Sequence, residues 1–197
     1  MPGTEQAAAQ VPAPSARYES YSHEALAAEV TRDNDPVAAG QVGARWQELA
    51  RRFADSTAEL DALVGTTHEK WRGQAGDAVR EVLGTATRWL TEQATVSTAL
   101  GESVAGQADV AARARAEMPP PVGFDPAAMI REAAASGNLA QLAGLSGAMA
   151  AQRARAEAAR QKAVDVMNAR DVALHGLVPR QGFAAPPSLG NPAKGPA

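Results

Sequence analysis

The sequence predicts an all-α fold: a long antiparallel helix hairpin with a Trp-x-Gly corner, a returning long helix and short helices, together forming an elongated bar. Three observations carry this. Apolar residues recur at alternating steps of three and four over two long proline-free runs, the pattern of helices packed lengthwise on each other. Aromatic residues are 4% of the 197 residues while alanine is abundant, which suits close helix packing and not a β-sandwich or barrel. Both long runs stop at Trp71-Arg72-Gly73, a bulky indole and a flexible glycine two positions apart.

The ends of the chain have a different composition. Residues 1–17, with Pro2, Pro12 and Pro14 among Ala, Gln, Gly and Ser, read as a disordered N-terminus. Residues 18–176 form the helical domain, and 177–197, rich in proline and glycine, read as a disordered tail. Within the domain, Ser22 is placed to cap a short helix that carries Leu26, Ala27 and Val30 on one face. Asp35-Pro36 is a strong start signal, a capping carboxylate before a proline whose missing N–H costs a first turn nothing. From there Val42, Trp46, Leu49, Phe53, Leu60, Leu63, Thr67 and Trp71 form a seam, interrupted only at Ser56. A helix of about 32 residues spans roughly 48 Å.

The run after the corner repeats the pattern with Val79, Val82, Ala86, Trp89, Gln93, Val96, Leu100, Ser103 or Val104, Gln107 and Val110. Gly101 and Gly106 lie inside it. Each costs about 1 kcal/mol against alanine in an isolated helix, so another backbone is expected to approach there, or the distal end to be weaker. Pro119-Pro120-Pro121 stops this helix. Asp125-Pro126 starts a short one, Ser136-Gly137-Asn138 stops it, and a last long helix runs from about Leu139 to Leu174 before Gly176 and Pro179. Two long seams joined by so few residues must pack antiparallel.

Little in the sequence suggests catalysis. His23, His68 and His175 are isolated, with no partner at helical ligand spacing, and no phosphate loop is present. Carboxylates have basic neighbours, as in Arg153 and Glu157, and read as a solvated face. No enzyme activity, metal or cofactor is expected. A net charge of −3 gives no electrostatic case for nucleic acid, and there is no cysteine. Neither an N-terminal signal peptide nor a membrane span is expected. Apolar surface is the remaining feature. Val37, Ala38, Leu63 and Val64 on one long helix, and Leu83, Leu90 and Val104 on the other, add stripes beside the main seams. Such an excess asks for a partner helix.

Four landmarks resemble a known family. Trp46-Gln47-Glu48-Leu49-Ala50, then Trp71-Arg72-Gly73-Gln74-Ala75-Gly76-Asp77-Ala78, then Trp89-Leu90, then Pro119-Pro120-Pro121-Val122 are similar, in order and approximate spacing, to the PPE domain. That domain belongs to the WXG superfamily of type VII (ESX) secretion substrates of actinobacteria. The likeness covers about Ser22 to Gly176. It implies a five-helix bar that pairs with a PE-like partner, a small helical hairpin, into a four-helix bundle exported folded to the cell surface or beyond.

The resemblance also implies that Trp71 and Gly73 lie beside a Tyr-x-x-x-Asp/Glu motif on the partner as a composite export signal. It implies a cytoplasmic chaperone at the tip carrying Leu139, Leu142 and Leu145. Val42, Trp46, Leu49, Phe53, Leu60, Val82, Trp89 and Val96 are the expected hairpin and partner interface. The chain departs from the family in lacking Pro-Pro-Glu near its start, where only Pro12-Ala13-Pro14 stands, and its tip lacks aromatics. Tyr18 and Tyr21 are followed four positions later by Ser22 and Ala25, so the tyrosine motif must come from elsewhere. Two other readings of the same helices are the targeting domain of a larger toxin or surface protein, and a homodimeric scaffold.

Overall fold

The computed structural model describes residues 12–32, 34–70 and 72–188, with the side chains of 68–70 left out. The described residues are helical with no strand. After a 3₁₀ turn at Tyr18–Ser20 come α1 (His23–Thr31), α2 (Pro36–Lys70), α3 (Gln74–Glu117), α4 (Pro126–Ser136) and α5 (Leu139–Gly176). The capping and proline signals place the helix boundaries well. Ser22 Oγ accepts from Ala25 N–H at 3.2 Å to start α1. Asp125 accepts from Ala128 N–H at 2.9 Å to start α4, and Gly137 ends α4 in the left-handed conformation at φ 63°. Asn138 Oδ1 then accepts from the N–H groups of Ala140 and Gln141, opening α5. Each of these bonds satisfies a backbone group that a helix end would otherwise leave unpaired.

Where one helical domain is expected over 18–176, the chain divides into two compact units. One contains residues 37–108 and 177–188, the other 12–36 and 109–176.

In the first unit, α2 and the first part of α3 form the antiparallel hairpin. A Cβ placed on Gly43 would lie 3.0 Å from Gly101 O and 3.2 Å from Ala105 N. One placed on Gly101 would lie 2.8 Å from Gln47 Cγ and 3.0 Å from Gly43 O. Glycine therefore faces glycine where the two backbones meet, and the close approach expected at Gly101 is found. Further along, Phe53 meets Trp89 edge-on, with ring centroids 6.3 Å apart. The pairs 43/101, 47/101 and 53/89 mirror each other about positions 71–74. Gly73 sits there with φ 92°, a conformation that side-chain-bearing residues rarely adopt.

The interior of this hairpin is small and partly polar. Ala50, Val96 and Ala108 are buried, together with Gln93, Ser97 and Ser103. Gln93 is 1% exposed, and neither atom of its amide finds a protein partner; Ser97 Oγ finds none either. Each such group forgoes its hydration without a replacement bond, at a cost of about 1–3 kcal/mol.

The second unit has a conventional core. Tyr18, Leu26, Val30, Ala114, Ala163, Val164, Val166 and Met167 pack together, with Met118 against them. Tyr18 fastens the N-terminal segment to α5. Its hydroxyl donates to Asp171 Oδ2 at 2.5 Å and accepts from Arg170 Nη2 at 3.0 Å. Arg160 adds a second tie, donating to the backbone carbonyls of Glu19 and Tyr21. His23, isolated in the sequence, is a buried structural residue: Nε2 lies 3.0 Å from Pro119 O and donates to it, since a carbonyl only accepts. Glu157 pairs with Arg160 at 3.6 Å, a step of three along α5 rather than the four-step neighbour Arg153. That contact is exposed and contributes little.

Burial, and next the bond donated to Asp171, push the Tyr18 pKa up to about 12 from 10.0, with the Arg170 guanidinium pulling the other way. The folded state thus favours the neutral phenol. Its contribution to stability is complete below pH 10 and lost as pH rises through about 12. Urea titrations across this range are expected to show falling stability in the wild type. Tyr18→Phe should remove that dependence and cost about 1.5–3 kcal/mol at neutral pH.

The hairpin yields a paired prediction. Gly101→Val should lower stability by about 1–3 kcal/mol through overpacking. Gly40→Ala, where nothing lies within 4 Å of the new Cβ, should raise it by about 0.4–1 kcal/mol. Thermal melts followed by circular dichroism measure both. Gln93→Met should be neutral or stabilising in the same assay, because it replaces an unpartnered buried amide with an apolar chain of similar length.

Candidate partner-binding surfaces

The expected interface residues of the first unit fall into three groups. Val96 is buried at 7% exposure, inside the hairpin. Trp46, Leu49, Phe53, Leu60, Val82 and Trp89 are half-buried. Val42 is exposed at 43%, and Val37 and Leu63, elsewhere on the same helix, are exposed too. The pattern has a steric cause. The helix faces that meet carry Gly43, Ala50, Ser97 and Gly101, so the backbones come close and the larger side chains are displaced to the flanks. Trp46 and Trp89 are therefore flanking residues rather than the interior of the hairpin.

The corner is described only in part. Trp71 lies outside the described residues. Gly73 is exposed, and a Cβ there would meet nothing within 4 Å. Its glycine requirement comes from the positive φ and not from crowding.

The stretch after α5 has no regular secondary structure, yet it makes specific contacts on this unit. Leu177 O accepts from Ser103 Oγ at 2.5 Å. The Leu177 side chain covers Gly106, with its methyl carbons 3.0 and 3.1 Å from where a Cβ would stand. Phe183 stacks on Trp46 at a centroid distance of 5.6 Å and an interplanar angle of 27°. Ala184 O accepts from Trp89 Nε1 at 3.2 Å. Gly106 is thus explained by a side chain from the tail rather than by another backbone. Periodicity could not find these contacts, because the tail has none. Its one signal was Phe183, a lone aromatic among prolines and glycines.

The candidate tip lies in the second unit. Leu139 is 82% exposed, Leu142 41%, and Leu145 half-buried, with Ile130 of α4 also exposed. The α4–α5 connection is set by the left-handed Gly137 and the Asn138 cap, which together place Leu139 in the first turn of α5. Apolar side chains this exposed add almost nothing to the fold that carries them.

Among the described residues, no group of three or more His, Cys, Asp or Glu is placed to hold a metal ion. Among them, too, no helix is long and apolar enough to cross a membrane. No family model matches the chain. No curated protein matches it either.

Exposure predicts how the two kinds of apolar residue respond to mutation. Leu63→Gln should change the stability of the isolated chain by less than about 0.5 kcal/mol. Met167→Ala, in the second core, should cost about 2–5 kcal/mol. Chemical denaturation of both variants separates exposed apolar surface from the surface that holds the fold.

Proposed function

We infer that this chain is a non-enzymatic, PPE-like substrate of a type VII secretion system, acting as one half of a helical heterodimer. The observation that carries the reading is the half-buried stripe of Trp46, Leu49, Phe53, Leu60, Val82 and Trp89 on a hairpin whose own interior is mostly glycine, alanine, serine and glutamine, with Val96 among them. A two-helix layer with so small a seam leaves its large side chains at the flanks, where a second pair of helices removes them from water. Each Å² of apolar surface covered contributes about 25 cal/mol before ordering costs.

The partner is a small PE-like hairpin that supplies the Tyr-x-x-x-Asp/Glu half of the signal. The corner at Trp71–Gly73 supplies the other half. The positive φ of Gly73 supports this, because it turns the chain within a few residues and keeps the end of the hairpin compact. The exposed Leu139 and Leu142 support a second contact, with a cytoplasmic chaperone that shields them before export. The destination is the cell surface or the medium.

Co-expression of the chain with a PE-like small hairpin protein in a type VII-competent host tests the reading. Trp71→Ala should abolish secretion of both chains while the complex still forms and helicity is unchanged. Secretion of this variant at wild-type level would remove the export signal from the corner. A stable homodimer that ignores the hairpin protein would instead favour the scaffold reading.

A further inference from the structure

The α2/α3 face read above as the partner surface is already occupied in the single chain. Leu177 sits at Ser103 and Gly106, and Ala184 sits at Trp89. Ser103 and Trp89 are 14 helical residues apart, about 21 Å. Leu177 and Ala184 are seven residues apart, about 23 Å when extended. The segment therefore runs nearly straight along α3 towards the corner, and Phe183 reaches across to Trp46 on α2. It covers two of the large residues on which a partner helix would pack.

We propose that residues 177–188 form a removable strap over the Trp46/Trp89 face, displaced when the partner hairpin docks. The strap makes no helix or strand, and most of its residues are exposed, Phe183 among them at 42%. Among the described residues, its attachment includes two side-chain hydrogen bonds, one ring stack and one leucine on a glycine. Nothing in α2 or α3 needs to rearrange when it leaves. The exchange also specifies the incoming helix. Release of Ala184 and Leu177 frees the Trp89 indole N–H and the Ser103 hydroxyl. Mid-helix carbonyls are used internally, so the partner's acceptor there is a polar side chain set among apolar residues.

The proposal rests on the partner reading, and two measurements on the full-length chain keep them apart. In the chain alone, Leu177→Ala/Phe183→Ala should raise acrylamide quenching of tryptophan fluorescence with circular dichroism unchanged, and Leu177 with Phe183→Tyr should quench like wild type. Unchanged quenching, or loss of helicity in the double variant, overturns the strap. Titrated with a purified small two-helix protein of PE type, the double variant should bind about tenfold more tightly, since a face open only a tenth of the time weakens apparent affinity by that factor. On binding to wild type, cleavage by trypsin after the exposed Arg180 should become faster. Equal affinities, or a strap still protected in the complex, overturn displacement while leaving the partner reading intact. No binding to either chain overturns the partner reading and the displacement with it.

Discussion

The close approach of Gly43 to Gly101 is the constraint on which the rest of the hairpin depends. With no side chain on either residue, the backbones meet at a distance a single Cβ would forbid. That contact sets the register, and the register sets where the chain must turn. It also decides which residues are left outside. Once glycine, alanine and serine fill the seam, Trp46, Phe53 and Trp89 have no room between the helices and lie along its edge. The large apolar stripe and the turn at Gly73 are then two results of one packing choice.

The polar groups inside the same seam act in the opposite direction. Gln93 and Ser97, one helical turn apart, are buried without protein partners, whereas the second unit buries leucine, valine and methionine around Tyr18. The two units are thus stabilised by different means. The second is held by apolar volume and by a buried phenol–carboxylate–guanidinium cluster. The first is held by close backbone contact over a long interface, with a few polar groups working against it. A layer with so little buried volume gains more from a further apolar surface than a well-filled core does.

Much of the helix pattern was legible in the sequence, and the reason is physical. Helix ends here are set by local chemistry: Ser22 and Asp125 as caps, Pro126 in a first turn, Gly137 as a left-handed stop, the triple proline after Glu117. These act within a few residues and need no tertiary partner. The seam period was equally plain, and it placed Val82, Trp89 and Val96 on one stripe. What periodicity could not decide was depth within that stripe. Val96 is inside the hairpin and Trp89 beside it, because depth depends on which small residues lie opposite. Gly43 and Gly101 settle that, and they are 58 positions apart in the chain. The Tyr18–Asp171 bond spans 153 positions and was invisible for the same reason. So were the contacts of the tail, whose described residues 177–188 carry no helix or strand. Composition cannot report that an irregular segment is held by two side-chain donors on a neighbouring helix.

The tryptophans show why an indole settles at the flank of a small-residue seam. An indole has a large apolar face and a single donor, so it prefers a position where the ring is covered and the N–H finds an acceptor. Trp89 has both at the edge of the hairpin: Phe53 meets its ring, and Ala184 O accepts its N–H. At the interior of the seam the N–H would join Gln93 and Ser97 as an unpartnered group. At a fully exposed position the ring would remain in water. The flank is the position that allows the donor to exchange one acceptor for another without unfolding either helix. The small residues in the seam between α2 and α3 leave Trp46 and Trp89 at that edge.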